Sequence, residues 1–142
     1  MSQRYRYHPG TRIALLQVEG PITLDGWERA ARELLEGGIT GGARRILSDR
    51  RLMPGSFPPG LEERAVGFFR ENAQALGAVQ WAVVVSEDVA AFATVRLAAE
   101  LSKDTRVRVQ GFTDMKVALH WLLGSHEDHQ IAALMRWIDQ TE

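Results

Sequence analysis

The chain has 142 residues, a length that suits one domain with one core, and its 17 Lys and Arg against 18 Asp and Glu leave a formal charge of -1. That balance excludes a global field for nucleic acid or an anionic surface, so no nucleic-acid partner is expected. The absence of cysteine excludes disulfides and thiol chemistry; with no apolar run near the roughly 20 residues of a membrane span and no signal-like N-terminus, the expectation is a cytoplasmic protein without an integral membrane segment.

Residues 4–8 alternate Arg, Tyr, Arg, Tyr, His, the period of a strand with one wet face, and Tyr5 and Tyr7 are expected to point inward. Pro9-Gly10 supplies turn chemistry before a second strand over 12–18, which predicts a β-hairpin at a sheet edge. Thr23 is placed to cap a helix with Leu24, Trp27, Ala31, Leu34 and Leu35 on its inner face, and Gly37 and Gly38 are expected to stop it. Residues 44–49 read as a short strand that exits into a proline-rich loop over 50–60. An amphipathic helix follows over 61–76, with Leu61, Ala65, Phe68, Phe69 and Leu76 on one stripe.

Val79-Gln80-Trp81-Ala82-Val83-Val84-Val85 is apolar, β-branched and without clean alternation, as a central strand covered on both faces should be. A helix over about 88–101 carries Val89, Phe92, Ala93, Val95, Leu97, Ala98 and Leu101. Residues 106–112 alternate again and predict a strand near the other edge. Thr113 is expected to cap a helix with Val117, Ala118, Trp121 and Leu122 inward, ended by Gly124. Residues 126–140 then repeat Ile131, Leu134, Met135 and Ile138 at helical spacing. The expected class is α/β, a mostly parallel five-stranded sheet with an N-terminal hairpin, divided into a domain over 1–124 and a tail helix over 125–142.

No constellation of residues amounts to an active site. Ser56 with His8 or His120 and Asp49 has the members of a hydrolytic triad, yet no Gly-Xaa-Ser-Xaa-Gly elbow exposes a hydroxyl. His126, Glu127, Asp128 and His129 read as a solvated helix start rather than a metal site. The glycines at 37, 38, 41 and 42 follow a helix and precede a strand, the reverse of a phosphate-binding loop. Arg44, Arg45, Arg50 and Arg51 are expected to pair with Asp49 or nearby glutamates. No cofactor, metal or enzymatic activity is expected.

Two stretches resemble the STAS domains, the sulfate-transporter and anti-sigma-factor-antagonist class with the SpoIIAA-like fold: Trp81-Ala82-Val83-Val84-Val85 with its following helix, and Val107-Arg108-Val109-Gln110-Gly111-Phe112 running into Val117-Ala118-Leu119-His120-Trp121-Leu122. The resemblance implies a βα superhelix with strands in sequence order, acting as a bacterial regulatory module that binds a protein partner. It also implies a phosphorylatable hydroxyl before the helix of the second βα unit, where Ser56 is the only one, although the compact turn of the family is absent. Binding is expected at the carboxyl ends of the parallel strands, through Asp49, Arg50, Arg51, Phe57, Ser86 and Asp88. The alternative is a carrier of a small apolar ligand, akin to the CRAL-TRIO lipid binders of related architecture, with a cavity lined by Phe57, Phe68, Phe69 and Phe92. The stripe Ile131, Leu134, Met135 and Ile138 must be buried, either on its own sheet or in a two-fold homodimer, and the dimer is the expectation.

Overall fold

The computed structural model describes residues 2–39, 41–53, 56–124 and 127–140. Strand β1 (Ser2–His8) pairs antiparallel with β2 (Ile13–Glu19), and β2, β3 (Arg45–Arg50), β4 (Val79–Val85) and β5 (Val107–Phe112) run parallel, in the order β1-β2-β3-β4-β5. In β4, Val79, Trp81 and Val85 enter one core while Ala82 and Val84 enter another. Apolar residues are needed at both phases of such a strand, which is why its sequence lacks alternation.

The first face carries α1 (Leu24–Glu33), α2 (Leu61–Glu71) and α4 (Val89–Leu101), which are the crossovers between successive parallel strands. Thr23 caps α1, its hydroxyl accepting the Gly26 N–H at 2.9 Å. Gly37 and Gly38 do not stop this helix, which widens into a π-helical turn over Leu34–Ile39. Gly38 lets the Tyr5 ring lie against this turn, for a Cβ there would come within 2.8 Å of its hydroxyl and push the side chain aside. Tyr5 itself is 43 % exposed rather than inward, since β1 is an edge strand, whereas Tyr7 packs on the core.

Asn72 interrupts the helix expected to run to Leu76, leaving a separate turn, α3 (Ala73–Leu76). Gly111 lets α4 approach β5, for a Cβ there would meet Val95 at 3.0 Å. The same approach turns Val89, Leu97 and Leu101 outward, contrary to the inward set read from the sequence. In the hairpin turn, the left-handed residue is Arg12, with φ 58°, and not the glycine.

The second face carries α5 (Met115–Leu123) and α6 (Asp128–Asp139). Asp114, not Thr113, caps α5 by accepting the Val117 N–H at 3.1 Å, and this shift leaves Val117 exposed. Ile131, Leu134 and Ile138 are buried against a cluster that includes Leu15, Leu47, Val84 and Leu119, with Met135 packed beside them. Val107 and Val109 lie on the first face with α4, so the tail helix covers the other face of the sheet. The alternation that sends Tyr7 to the first core puts Arg4, Arg6 and His8 on the second. Arg6 Nη2 donates to Ile138 O at 2.7 Å, Arg4 Nη2 donates to Gln140 O at 2.8 Å, and the Arg6 guanidinium lies 4.5 Å from the Trp137 ring centre. Two cations therefore meet the negative end of the α6 dipole. The apolar stripe expected to join a dimer is thus occupied within one chain.

Candidate functional site

The end of β3 brings the largest group of charged residues into the fold interior. Arg50 was expected to begin a loop, but the strand reaches it, and only 7 % and 2 % of the surfaces of Asp49 and Arg50 are exposed. Period-2 alternation then separates them: Ser48 and Arg50 face the first core with Ile46, while Asp49 faces the second with Leu47.

Asp49 is saturated. Its Oδ1 accepts from Arg51 Nε at 2.9 Å and from the Arg51 backbone N–H at 3.2 Å; its Oδ2 accepts from Arg51 Nη2 at 2.9 Å and from Gln17 Nε2 at 3.2 Å. Arg4 Nη2 fixes Gln17 by donating to its Oε1 at 2.7 Å, and Asp139 lies 3.8 Å from Arg51. Burial opposes the charge of Asp49, but the Arg51 and Gln17 donors outweigh it and hold the carboxyl below the usual aspartate range.

Arg50 is the opposite case. Among the described residues its Nη1 is buried and has no hydrogen-bond partner. Burial pushes its guanidinium down to about 10, with the Asp49 charge opposing that shift. It borders a cavity of about 50 Å³ walled by Trp27, Phe57, Phe69, Trp81, Val83 and Val95 and by the polar Ser48, Glu62 and Thr94. The Ser48 hydroxyl accepts the Trp81 indole N–H at 2.9 Å, while Trp27 stacks on Trp81 with centroids 6.3 Å apart.

Of the residues expected to line an apolar cavity, Phe57 and Phe69 do so; Phe68 packs edge-on against Trp27, and Phe92 lies beside Gly111. Phe57 is buried rather than part of an open loop. Ser56 and Ser86 are exposed, and Asp88 caps α4 by accepting the Ala91 N–H at 3.0 Å. Pro54, Gly55 and His126 lie outside the described residues. Among the described residues no cluster suits a metal ion; His129 sits 3.1 Å from Glu127 on the surface.

Two features escaped the sequence reading. Leu52 and Val89 are 69 % and 85 % exposed, just beyond the carboxyl ends of the adjacent strands β3 and β4. At the opposite end, Arg12, Arg44, Arg45, Arg106 and Arg108 border one groove. Arg44 and Arg45 donate to carbonyls there, of Ile39 and Ala43 and of Thr11, instead of pairing with acids. Both features depend on which strand ends become neighbours, which no local pattern encodes.

The strand order, the parallel crossovers and the N-terminal hairpin make this a SpoIIAA-like α/β fold. No family model matches the chain, and no curated protein matches it. Three solved structures are similar to it. An anti-sigma factor antagonist from Mycobacterium paratuberculosis matches with a TM-score of 0.55 and 13 % identity, over 85 % of this chain and 92 % of that one. An uncharacterized protein of the DUF3478 family with a SpoIIAA-like fold, from Shewanella loihica PV-4, matches with a TM-score of 0.55 and 16 % identity over the same shares of the two chains. The protein TM1081 matches with a TM-score of 0.56 and 10 % identity, over 88 % of this chain and 91 % of that one. At such identities the likeness is one of fold.

Proposed function

We propose that this chain is a non-catalytic regulatory module that binds a protein partner at the carboxyl ends of β3 and β4. The observation that carries this reading is the exposure of Leu52 and Val89, 69 % and 85 %, at neighbouring strand ends. Single exposed apolar residues are ordinary, but two large ones at the end of a parallel sheet where α/β folds bind their ligands form the nucleus of a docking patch. The fold shared with an anti-sigma factor antagonist supports a protein as the partner. Ser56, exposed between this patch and α2, is the hydroxyl through which phosphorylation would control binding. The hydroxyl–imidazole contact that the described residues do make, His8 Nδ1 with Thr11 Oγ1 at 2.8 Å, lies in the hairpin turn, away from the carboxyl ends of β3 and β4.

The carrier reading is less well supported, because a cavity of about 50 Å³ is far below the roughly 300 Å³ at which ligand pockets for larger molecules begin. The test is affinity capture from a lysate of the source organism with wild type, the double variant Leu52→Glu/Val89→Glu, and Val117→Glu on the second face as control. A protein retained by wild type and control but lost from the double variant is the expected result. Equal capture by all three would refute the docking site.

A further inference from the structure

We propose that the cavity beside Arg50 binds a short-chain monocarboxylate, its carboxylate on the guanidinium and its alkyl part against the aromatic wall. The site is internal, distinct from the docking patch, and does not depend on it. Arg50 remains charged at neutral pH, only 2 % of it is exposed, and its Nη1 has no partner among the described residues. A buried guanidinium with an N–H left unbonded is costly, and an anion bonded to Nη1 would relieve that cost.

Among the described residues no carboxylate bonds Arg50, and Asp49 acts on it through its charge alone. Asp49 points to the other face and is already engaged by Arg51 and Gln17. Glu62 borders the same cavity, but among the described residues it forms no ion pair with Arg50.

The chemistry of the walls selects the class of anion. A guanidinium matches the planar carboxylate with parallel N–H donors. The Ser48 hydroxyl, its oxygen occupied by Trp81, keeps its hydrogen free to donate on the same face of β3. Phosphate, with more charge and more oxygens, would be left unsatisfied by so few donors. Chloride would waste the apolar surface of Trp81, Phe57, Phe69 and Val83. The cavity of about 50 Å³, set against the roughly 10–15 Å³ that one water needs on the same measure, has room for the few heavy atoms of acetate or propionate and not for a fatty acid.

The Trp81 indole N–H, bonded to Ser48 at the cavity wall, is the reporter. Its signal in a proton–nitrogen correlation spectrum is followed as the full chain is titrated with sodium propionate, sodium chloride or sodium phosphate at constant ionic strength, and with propionamide, the neutral isostere. Propionate is expected to give a saturable shift in the millimolar range, with at most a small linear drift from the other three. Arg50→Met should abolish the propionate response and Glu62→Gln should preserve it. A flat propionate titration, or saturation by propionamide, chloride or phosphate to the same extent, would overturn the proposal; because these arms use wild type alone, a failure of Arg50→Met to fold leaves the test intact. A normal response in folded Arg50→Met would overturn it equally.

Discussion

Arg50 and Arg51 are neighbours in sequence, yet they serve opposite faces of the sheet and meet opposite fates. On the second face, Arg51 closes a network in which Asp49, Gln17, Arg4 and the end of α6 hold one another, tying β1, β2, β3 and the tail together. On the first face, Arg50 enters an aromatic core and finds no hydrogen-bond partner for Nη1 among the described residues. The difference is one of phase: alternation gives every second residue to each face, and the carboxylates that pair with Arg51, Asp49 and Asp139, serve the second face. A charge that folding alone would expel is retained on the first face, whereas on the second it fastens the structure.

The comparison is broken most severely by removing the tail. Ending the chain after Gly124 strips Ile131, Leu134 and Ile138 from Leu15, Leu47 and Leu119. Each such side chain contributes about 1.5–3 kcal/mol of burial, so the loss approaches the whole stability of an ordinary domain. The expected outcome is loss of a cooperative thermal transition by circular dichroism. A truncated chain that melts within a few degrees of the full one would show that α6 is only an appendage.

The next effect belongs to Asp49. Asp49→Asn removes the charge and one of the two acceptor oxygens of the Arg51 fork and should cost about 1–3 kcal/mol at neutral pH, read from urea midpoints. The carboxyl is held lower in the folded chain than in the unfolded one, so its stabilisation is complete above the ordinary value of 3.8 and fades as pH falls through the lower folded value. The gap between wild type and Asp49→Asn should therefore be wide at pH near neutrality and close in acid. A gap that persists unchanged in acid would refute the assignment to this charge.

Much of this fold is legible in the residues, and the site is less so, for physical reasons that particular positions make plain. Val79–Val85, Thr23 and the stripe of α6 declare themselves because periodicity and capping are local. The burial of Arg50 could not be read the same way, since a strand ending one residue earlier would have left the same arginine in solvent. Val89, Leu97 and Leu101 fit a helical pattern but face outward, because the closeness of α4 to Gly111 decides which stripe turns in. Signals that depend on neighbouring strands, such as the five arginines around one groove, have no counterpart along the chain.

Arg50 sharpens the comparison in the other direction. Replacing an ion buried without a full set of partners by an apolar residue of similar length is neutral or stabilising, by up to about 1–4 kcal/mol. Arg50→Met, in buffer free of carboxylates, is thus expected to melt at or above wild type, while Asp49→Asn melts below it. A lower melting temperature for Arg50→Met would mean that the guanidinium holds the first face as Arg51 holds the second.

The smallest structural effect is expected at Ser56, and it separates regulation from stability. Ser56 is exposed and immediately precedes Phe57, which is buried at the cavity wall. A charge placed there meets water, so Ser56→Asp should change stability by less than about 0.5 kcal/mol. The same charge would stand before α2, at the end of the sheet where Leu52 and Val89 are exposed. An apolar surface of a partner docked on those residues would have to desolvate it. Ser56→Asp is therefore expected to retain the wild-type melting temperature while losing most of the partner captured by the unmodified chain, and Ser56→Ala should capture and release the partner as wild type does. Identical partner binding by Ser56→Asp and wild type, in surface-immobilised kinetics, would remove Ser56 from any role in control and leave the docking patch unregulated.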